Sequence, residues 1–127
     1  MRTLIVEDEP LAAERLIVLL QQLRPSVQVL AVLDSISETV SWLHGNQAPD
    51  LILLDIQLSD GNSFEIFRKI KTQAPIIFIT ALESHALEAF KLLSIDYLLK
   101  PVSKSALKQA LDKLDWFNGK TIPATRS

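Results

Sequence analysis

A doubly wound α/β fold, a parallel sheet of five strands with helices on both faces, is what this sequence predicts. Two observations carry it. Short apolar segments rich in β-branched residues alternate with longer segments of helical period, five times in succession. The short segments also lack strict polar–apolar alternation, the mark of strands covered on both faces.

The first strand is Thr3–Val6, followed by the acids Glu7, Asp8 and Glu9. Pro10–Leu23 reads as a helix with a broad apolar face, and Pro10 suits its first turn. Val27–Val32 is the second strand. Ile36–His44 is the second helix, with Gly45 placed to cap its carboxyl end. Leu51–Leu54 is the third strand and ends at Asp55. Ser63–Thr72, carrying Phe64, Phe67 and Ile70, is the third helix. Ile76–Thr80 is the fourth strand, and Ser84–Leu93, with Leu87, Phe90 and Leu93, the fourth helix. Tyr97–Leu99 is the fifth strand and runs into Lys100-Pro101. In the last helix Leu107, Ala110, Leu111, Leu114 and Phe117 follow the i, i+3, i+4, i+7 rule. Residues 1–117 thus form one domain. Asn118–Ser127, with Gly119, Pro123 and small polar residues, reads as a frayed end or the start of a linker.

The 127 residues suit one domain, and at 48% hydrophobic they can bury a core without a metal or disulfide staple. The absence of cysteine excludes a disulfide scaffold, a thiol nucleophile and thiolate metal sites. A net charge of −2 is a poor match to a nucleic-acid binder, which needs a basic face. The charge is unevenly placed: residues 1–63 carry three Arg/Lys and nine Asp/Glu, residues 64–127 ten and six. A fold that sets acids of the first half against a base of the second would use this asymmetry. Leu16–Leu20 and Leu51–Leu54, the longest apolar stretches, are far too short to span a bilayer. Met1-Arg2 leads into Thr3–Val6 and then acids, unlike a signal peptide. A soluble cytoplasmic protein is expected.

In an open α/β sheet, ligands sit beyond the carboxyl ends of the strands, where the strand order reverses. That rule selects Glu7, Asp8, Glu9, Asp55, Thr80 and Lys100. Clustered carboxylates repel one another, and a divalent cation relieves the repulsion. All-oxygen ligation points to Mg²⁺, or Mn²⁺, rather than zinc. Asp55 is the candidate nucleophile, because a carboxylate can attack phosphorus and form an acyl phosphate. Phosphoryl transfer needs positioning and charge neutralisation more than acid–base chemistry. The cation, Lys100 and the Thr80 hydroxyl supply both.

Val6-Glu7-Asp8-Glu9, Leu53-Leu54-Asp55-Ile56, Phe78-Ile79-Thr80-Ala81 and Tyr97-Leu98-Leu99-Lys100-Pro101 resemble the four marks of response regulator receiver domains, the CheY-like superfamily. Order and spacing match over residues 2–117. The resemblance implies a flavodoxin-like fold with strand order 2-1-3-4-5. It implies Asp55 as phosphoacceptor, Asp8 as a direct Mg²⁺ ligand, Glu7 as a ligand through water and the backbone carbonyl of Gln57 as the last protein ligand. Thr80 would bond a phosphoryl oxygen, Tyr97 would swing inward with it, and Lys100 would pair with the phosphoryl group. The bond to Pro101 is expected to be cis. Val6–Ala12 and Ala86–Pro101 are similar to receivers that precede LytTR-type DNA-binding domains. In two respects the chain departs from the pattern: Glu7 stands where Asp is commoner, and the loop Ile56–Gly61 lacks the usual proline.

The resemblance further implies a sensor histidine kinase as phosphodonor. It implies that the fourth helix, fifth strand and fifth helix form the surface altered by phosphorylation; that surface is expected to mediate homodimerisation, and no direct nucleic-acid binding by this domain is expected. Blander readings exist for each residue. Glu7-Asp8-Glu9 could be a solvated loop ahead of a helix, Thr80 an ordinary strand end, Lys100 a surface lysine and Tyr97 a core residue. His44 and His85 read as surface residues. Other classes are disfavoured. A haloacid-dehalogenase-like phosphatase carries Asp-x-Asp, and Gln57 occupies that second position. A flavodoxin-like cofactor binder would want a phosphate-cradling loop where the acids lie. A phosphate-independent docking module is the alternative that keeps the fold but not the chemistry.

Overall fold

The computed structural model of the chain describes residues 1–81 and 94–119. Five strands form one parallel sheet: β1 (Arg2–Val6), β2 (Gln28–Leu33), β3 (Leu51–Asp55), β4 (Ile76–Thr80) and β5 (Asp96–Leu99), in the order 2-1-3-4-5. The described helices are α1 (Pro10–Leu23), α2 (Ile36–Gly45), a single turn α3 (Ile66–Lys69) entered through a 3₁₀ turn at Ser63–Glu65, and α4 (Lys104–Phe117). The expected helix Ser84–Leu93, with Phe90 and His85, lies outside the described residues.

All five residues of β3 and of β4 are buried, as strands covered on both faces must be. Successive side chains leave a strand on opposite faces, and the core divides accordingly. On one face Ile5, Leu51, Leu53, Ile77, Ile79 and Leu98 meet α1 and α4. On the other Leu4, Val6, Ile52, Leu54, Ile76 and Phe78 meet Ile36 of α2 and the Phe64–Ile66 turn. Phe64 and Phe67 both sit edge-on to Phe78, with centroids at 5.2 and 6.4 Å.

Five local expectations change. Ser63–Thr72 is not one helix. It ends at Ile70, whose backbone is extended (φ −149°, ψ 145°), and in that conformation the Ile70 side chain packs on the α2/α3 core. Gly45 closes α2 as its last helical residue. The cap is Asn46, whose Nδ2 donates to the Trp42 carbonyl at 2.8 Å. β2 begins one residue later than expected, at Gln28, and β5 one earlier, at Asp96. Phe117 completes the helical period of α4 yet is 65% exposed, because α4 outruns the sheet at that end.

The loop after β3 is a small hairpin, Gln57–Leu58 against Gly61–Asn62. It holds its shape without the proline. Asp60 reaches the amino end of α2, accepting from Ile36 N at 2.8 Å and Ser37 N at 3.1 Å. Ser59 Oγ donates to the Asp34 carbonyl. Gly61 has φ +136°, a conformation that favours glycine, and a Cβ there would lie 3.4 Å from Ile36 Cδ1.

Candidate functional site

The strand ladders run past the ends of the strands and carry the polar residues with them. Glu7 N donates to Leu33 O at 2.8 Å, Ile56 N to Ile79 O at 3.3 Å, and Lys100 N to Thr80 O at 2.8 Å. The two-residue period then decides who meets whom. Glu7 continues the face of Ile5, Asp55 that of Leu53, and Lys100 that of Leu98, all on the α1/α4 side. Arg15 of α1 donates from Nη2 to the Val102 carbonyl at 2.9 Å and so fastens the loop that follows Lys100.

Lys100 Nζ stands among three carboxylates. It lies 2.9 Å from Asp55 Oδ2, 2.8 Å from Glu7 Oε1 and 2.8 Å from Glu9 Oε1. Glu7 and Asp55 are nearly closed to solvent, at 3% and 5% exposure. Burial raises the Glu7 carboxyl to about 7, against the pull of Lys100 and with the help of the neighbouring Asp55 charge. For Lys100, burial lowers the ammonium, but the bonds to Asp55, Glu7 and Glu9 outweigh it and hold the group well above the ordinary lysine value. Hydrogen bonding to Lys100 likewise holds Glu9 below the usual glutamate value.

One ammonium among three acids leaves negative charge in excess. Glu7, Asp8 and Asp55 each turn one carboxylate oxygen into a group whose atoms lie within 4.8 Å of one another. Asp8 is half-buried and Gln57 exposed. Gln57 N donates to Asp55 Oδ1 at 3.2 Å. Because Ser63 N bonds Ile56 O, Gln57 and Asn62 occupy a non-hydrogen-bonded step of the hairpin, which turns the Gln57 amide and carbonyl away from Asn62. The donor set is all oxygen and short of positive charge, and it fits a hard divalent cation such as Mg²⁺. Above it opens a cleft of about 390 Å³ lined by Asp8, Glu9, Asp55, Gln57, Thr80 and Lys100 among others. Thr80 is 1% exposed at the end of β4. The Lys100-Pro101 bond is cis.

The family model of the response regulator receiver domain matches residues 3–112. The chain belongs to that family. Among curated relatives, this receiver is 38% identical over 126 residues to the sensory transduction protein LytT of Enterococcus faecalis, covering 97% of this chain and 51% of the relative. It is 40% identical over 124 residues to the sensory transduction protein LytR of Staphylococcus epidermidis, covering 95% and 48%. The chain thus spans about half the length of these relatives. The solved response regulatory domain of protein mrkE from Klebsiella pneumoniae superposes with a TM-score of 0.82 at 32% identity, covering 92% of this chain and 97% of that one. No described helix of the receiver is long and apolar enough to cross a membrane.

Of the residues that sequence reasoning singled out, Asp8, Asp55, Gln57, Thr80 and Lys100 line one cleft, and buried Glu7 adjoins it through Asp8, Asp55 and Lys100. Tyr97 does not line that cleft. It pairs with Phe78 in the ladder and packs, half-buried, against the α2/α3 core. Two contacts were not legible in the sequence. Glu9 was grouped with its neighbours as an acid and not as a partner of Lys100, 91 positions away. Asp60 falls within the loop Ile56–Gly61, and its bond partners at α2 lie 23 and 24 positions back. No local pattern announces contacts at such separations.

Proposed function

We propose that this receiver takes a phosphoryl group onto Asp55 from a phosphohistidine of a sensor histidine kinase. The observation that carries the reading is the placement of the Asp55 carboxylate. It is nearly buried, at the floor of an open cleft, 2.9 Å from Lys100 and within an all-oxygen cluster suited to Mg²⁺ or Mn²⁺. An Asp55 oxygen forms the new bond to phosphorus as the bond from phosphorus to the histidine nitrogen breaks, and the imidazole leaves with the electron pair. Lys100 then meets the phosphoryl charge and Thr80 offers its hydroxyl to a phosphoryl oxygen. Glu7, Asp8, Asp55 and the Gln57 carbonyl would hold the cation, which supplies positive charge against the phosphoryl oxygens. Tyr97 is read as the ring that answers a shift of Thr80. The domain is an acceptor switch with slow self-dephosphorylation, not a turnover enzyme; Gln57 stands where a phosphatase would carry a second acid.

The same reading extends to partners and limits. Residues 1–117 form the receiver, and 118–127 the tail or the start of a linker. Phosphorylation promotes homodimerisation. Trp116 and Phe117, exposed apolar side chains near the end of α4, support a surface on that helix. The names and lengths of the LytT and LytR relatives support control of a LytTR-type output beyond these residues. The test is intact mass after incubation with acetyl phosphate. A gain of one phosphoryl group with Mg²⁺, absent with EDTA, is expected. No gain in a folded protein, by acetyl phosphate or by a phosphorylated kinase, would overturn the reading in favour of a phosphate-independent docking module.

A further inference from the structure

Three carboxylates share Lys100, and one of them differs from the others. The Glu7 and Asp55 side chains are 1% and 7% exposed, whereas that of Glu9 is 65% exposed. Glu9 is the N-cap residue of α1, yet its side chain makes no capping bond, and the first turn of α1 holds no acid. A carboxylate at a helix amino end is ordinarily used there. In this chain it reaches across the strand ends to Lys100 instead, at 2.8 Å. The Glu9 backbone is pinned on both sides, N–H to Glu7 Oε2 at 3.2 Å and carbonyl to Ala13 N at 3.0 Å, so the side chain is delivered to the rim of the cleft.

We propose that Glu9 is a positioning residue that holds Lys100 away from an incoming phosphoryl group and so slows the loading of Asp55. The inference rests on the reading of Asp55 as phosphoacceptor. When acetyl phosphate is the donor, an Asp55 oxygen forms a bond to phosphorus and the bond from phosphorus to the acetate oxygen breaks. Acetate leaves with the electron pair, and no proton moves. The charge that Lys100 faced on the Asp55 carboxylate passes to the phosphoryl oxygens, and Lys100 has to turn toward them. Glu7 is buried and keeps its place. Glu9 is the partner that water can replace, so its bond to Lys100 is the one broken on the way to the transition state. A group bonded more tightly before the reaction than during it raises the barrier.

The test compares wild type, Glu9→Gln and Glu14→Gln, the last removing an exposed carboxylate of α1 and the same unit of charge. Loading by acetyl phosphate and Mg²⁺ is timed by intact mass. The Lys100 13Cε resonance is recorded in lysine-labelled protein without donor. Breaking an exposed ion pair is expected to speed loading about threefold in Glu9→Gln. Loading stays unchanged in Glu14→Gln, and the Lys100 resonance moves in Glu9→Gln alone. Equal rates in all three proteins would overturn the proposal. So would equal acceleration in both variants, which would mark bulk charge as the cause, or acceleration with an unmoved Lys100 resonance. A wild type that takes no phosphoryl group would instead overturn the functional reading, while the resonance still reports whether Glu9 holds Lys100.

Discussion

Asp60→Ala removes the clamp between the hairpin after β3 and the amino end of α2. Asp60 accepts from two successive backbone N–H groups, Ile36 at 2.8 Å and Ser37 at 3.1 Å. These are donors that a helix cannot satisfy internally. Ser35 already caps Glu38 N, so Asp60 supplements the cap rather than supplying all of it. Asp60 is exposed, and solvent screening trims its worth, so the expected cost at pH 7 is about 1 kcal/mol, which is about 4 °C in melting temperature for a domain of this size. The bond from Ile36 holds the Asp60 carboxyl below its ordinary value of 3.8. The stabilisation is therefore fully present above that value and lost as pH falls through the lower, folded one. Thermal melts of wild type and Asp60→Ala by circular dichroism, at pH 7 and at steps below 3.8, check this. The gap should be largest at pH 7 and close in acid. Melting temperatures within a degree at pH 7, or a gap that persists unchanged in acid, would refute the clamp.

Gly61→Ala forces a side chain onto φ +136° beside Ile36 Cδ1, and urea melts should show a loss of about 1–3 kcal/mol. Leu53→Ala, at a fully buried site in the central strand, should cost about 2–5 kcal/mol in the same assay. Excess Mg²⁺ should raise the melting temperature of wild type by binding the folded state, and Asp8→Asn should lose that rise while melting normally without the ion. A rise of equal size in Asp8→Asn would show that the ion binds elsewhere.

The sheet was legible because its pattern is local and repeated. Leu51–Leu54 and Ile76–Ile79 are apolar throughout, and that alone places them in the middle with a helix on either side. The edges of elements were less legible. Ser63–Thr72 carries a helical period, yet Ile70 reaches the core from an extended backbone, and packing overrode periodicity. Phe117 fits the stripe of α4, but a stripe does not reveal where the sheet beneath it stops. At the candidate site the strand-end rule singled out residues that the fold brings close together, because strand ends of a parallel sheet converge. Which acids would share Lys100 was not readable, since it depends on the parity of Glu7, Asp55 and Lys100 in three different strands and on the turn that delivers Glu9.

The central claim is that phosphorus goes to one residue, Asp55, and it is tested most directly by trapping the acyl phosphate. The protein is loaded with acetyl phosphate and Mg²⁺ and reduced with borohydride, which converts an aspartyl phosphate to homoserine, and its peptides are then sequenced by mass. Homoserine at position 55 and nowhere else is the predicted result. Homoserine at Asp8 or elsewhere, or none in a protein that has gained the mass of a phosphoryl group, would contradict the account.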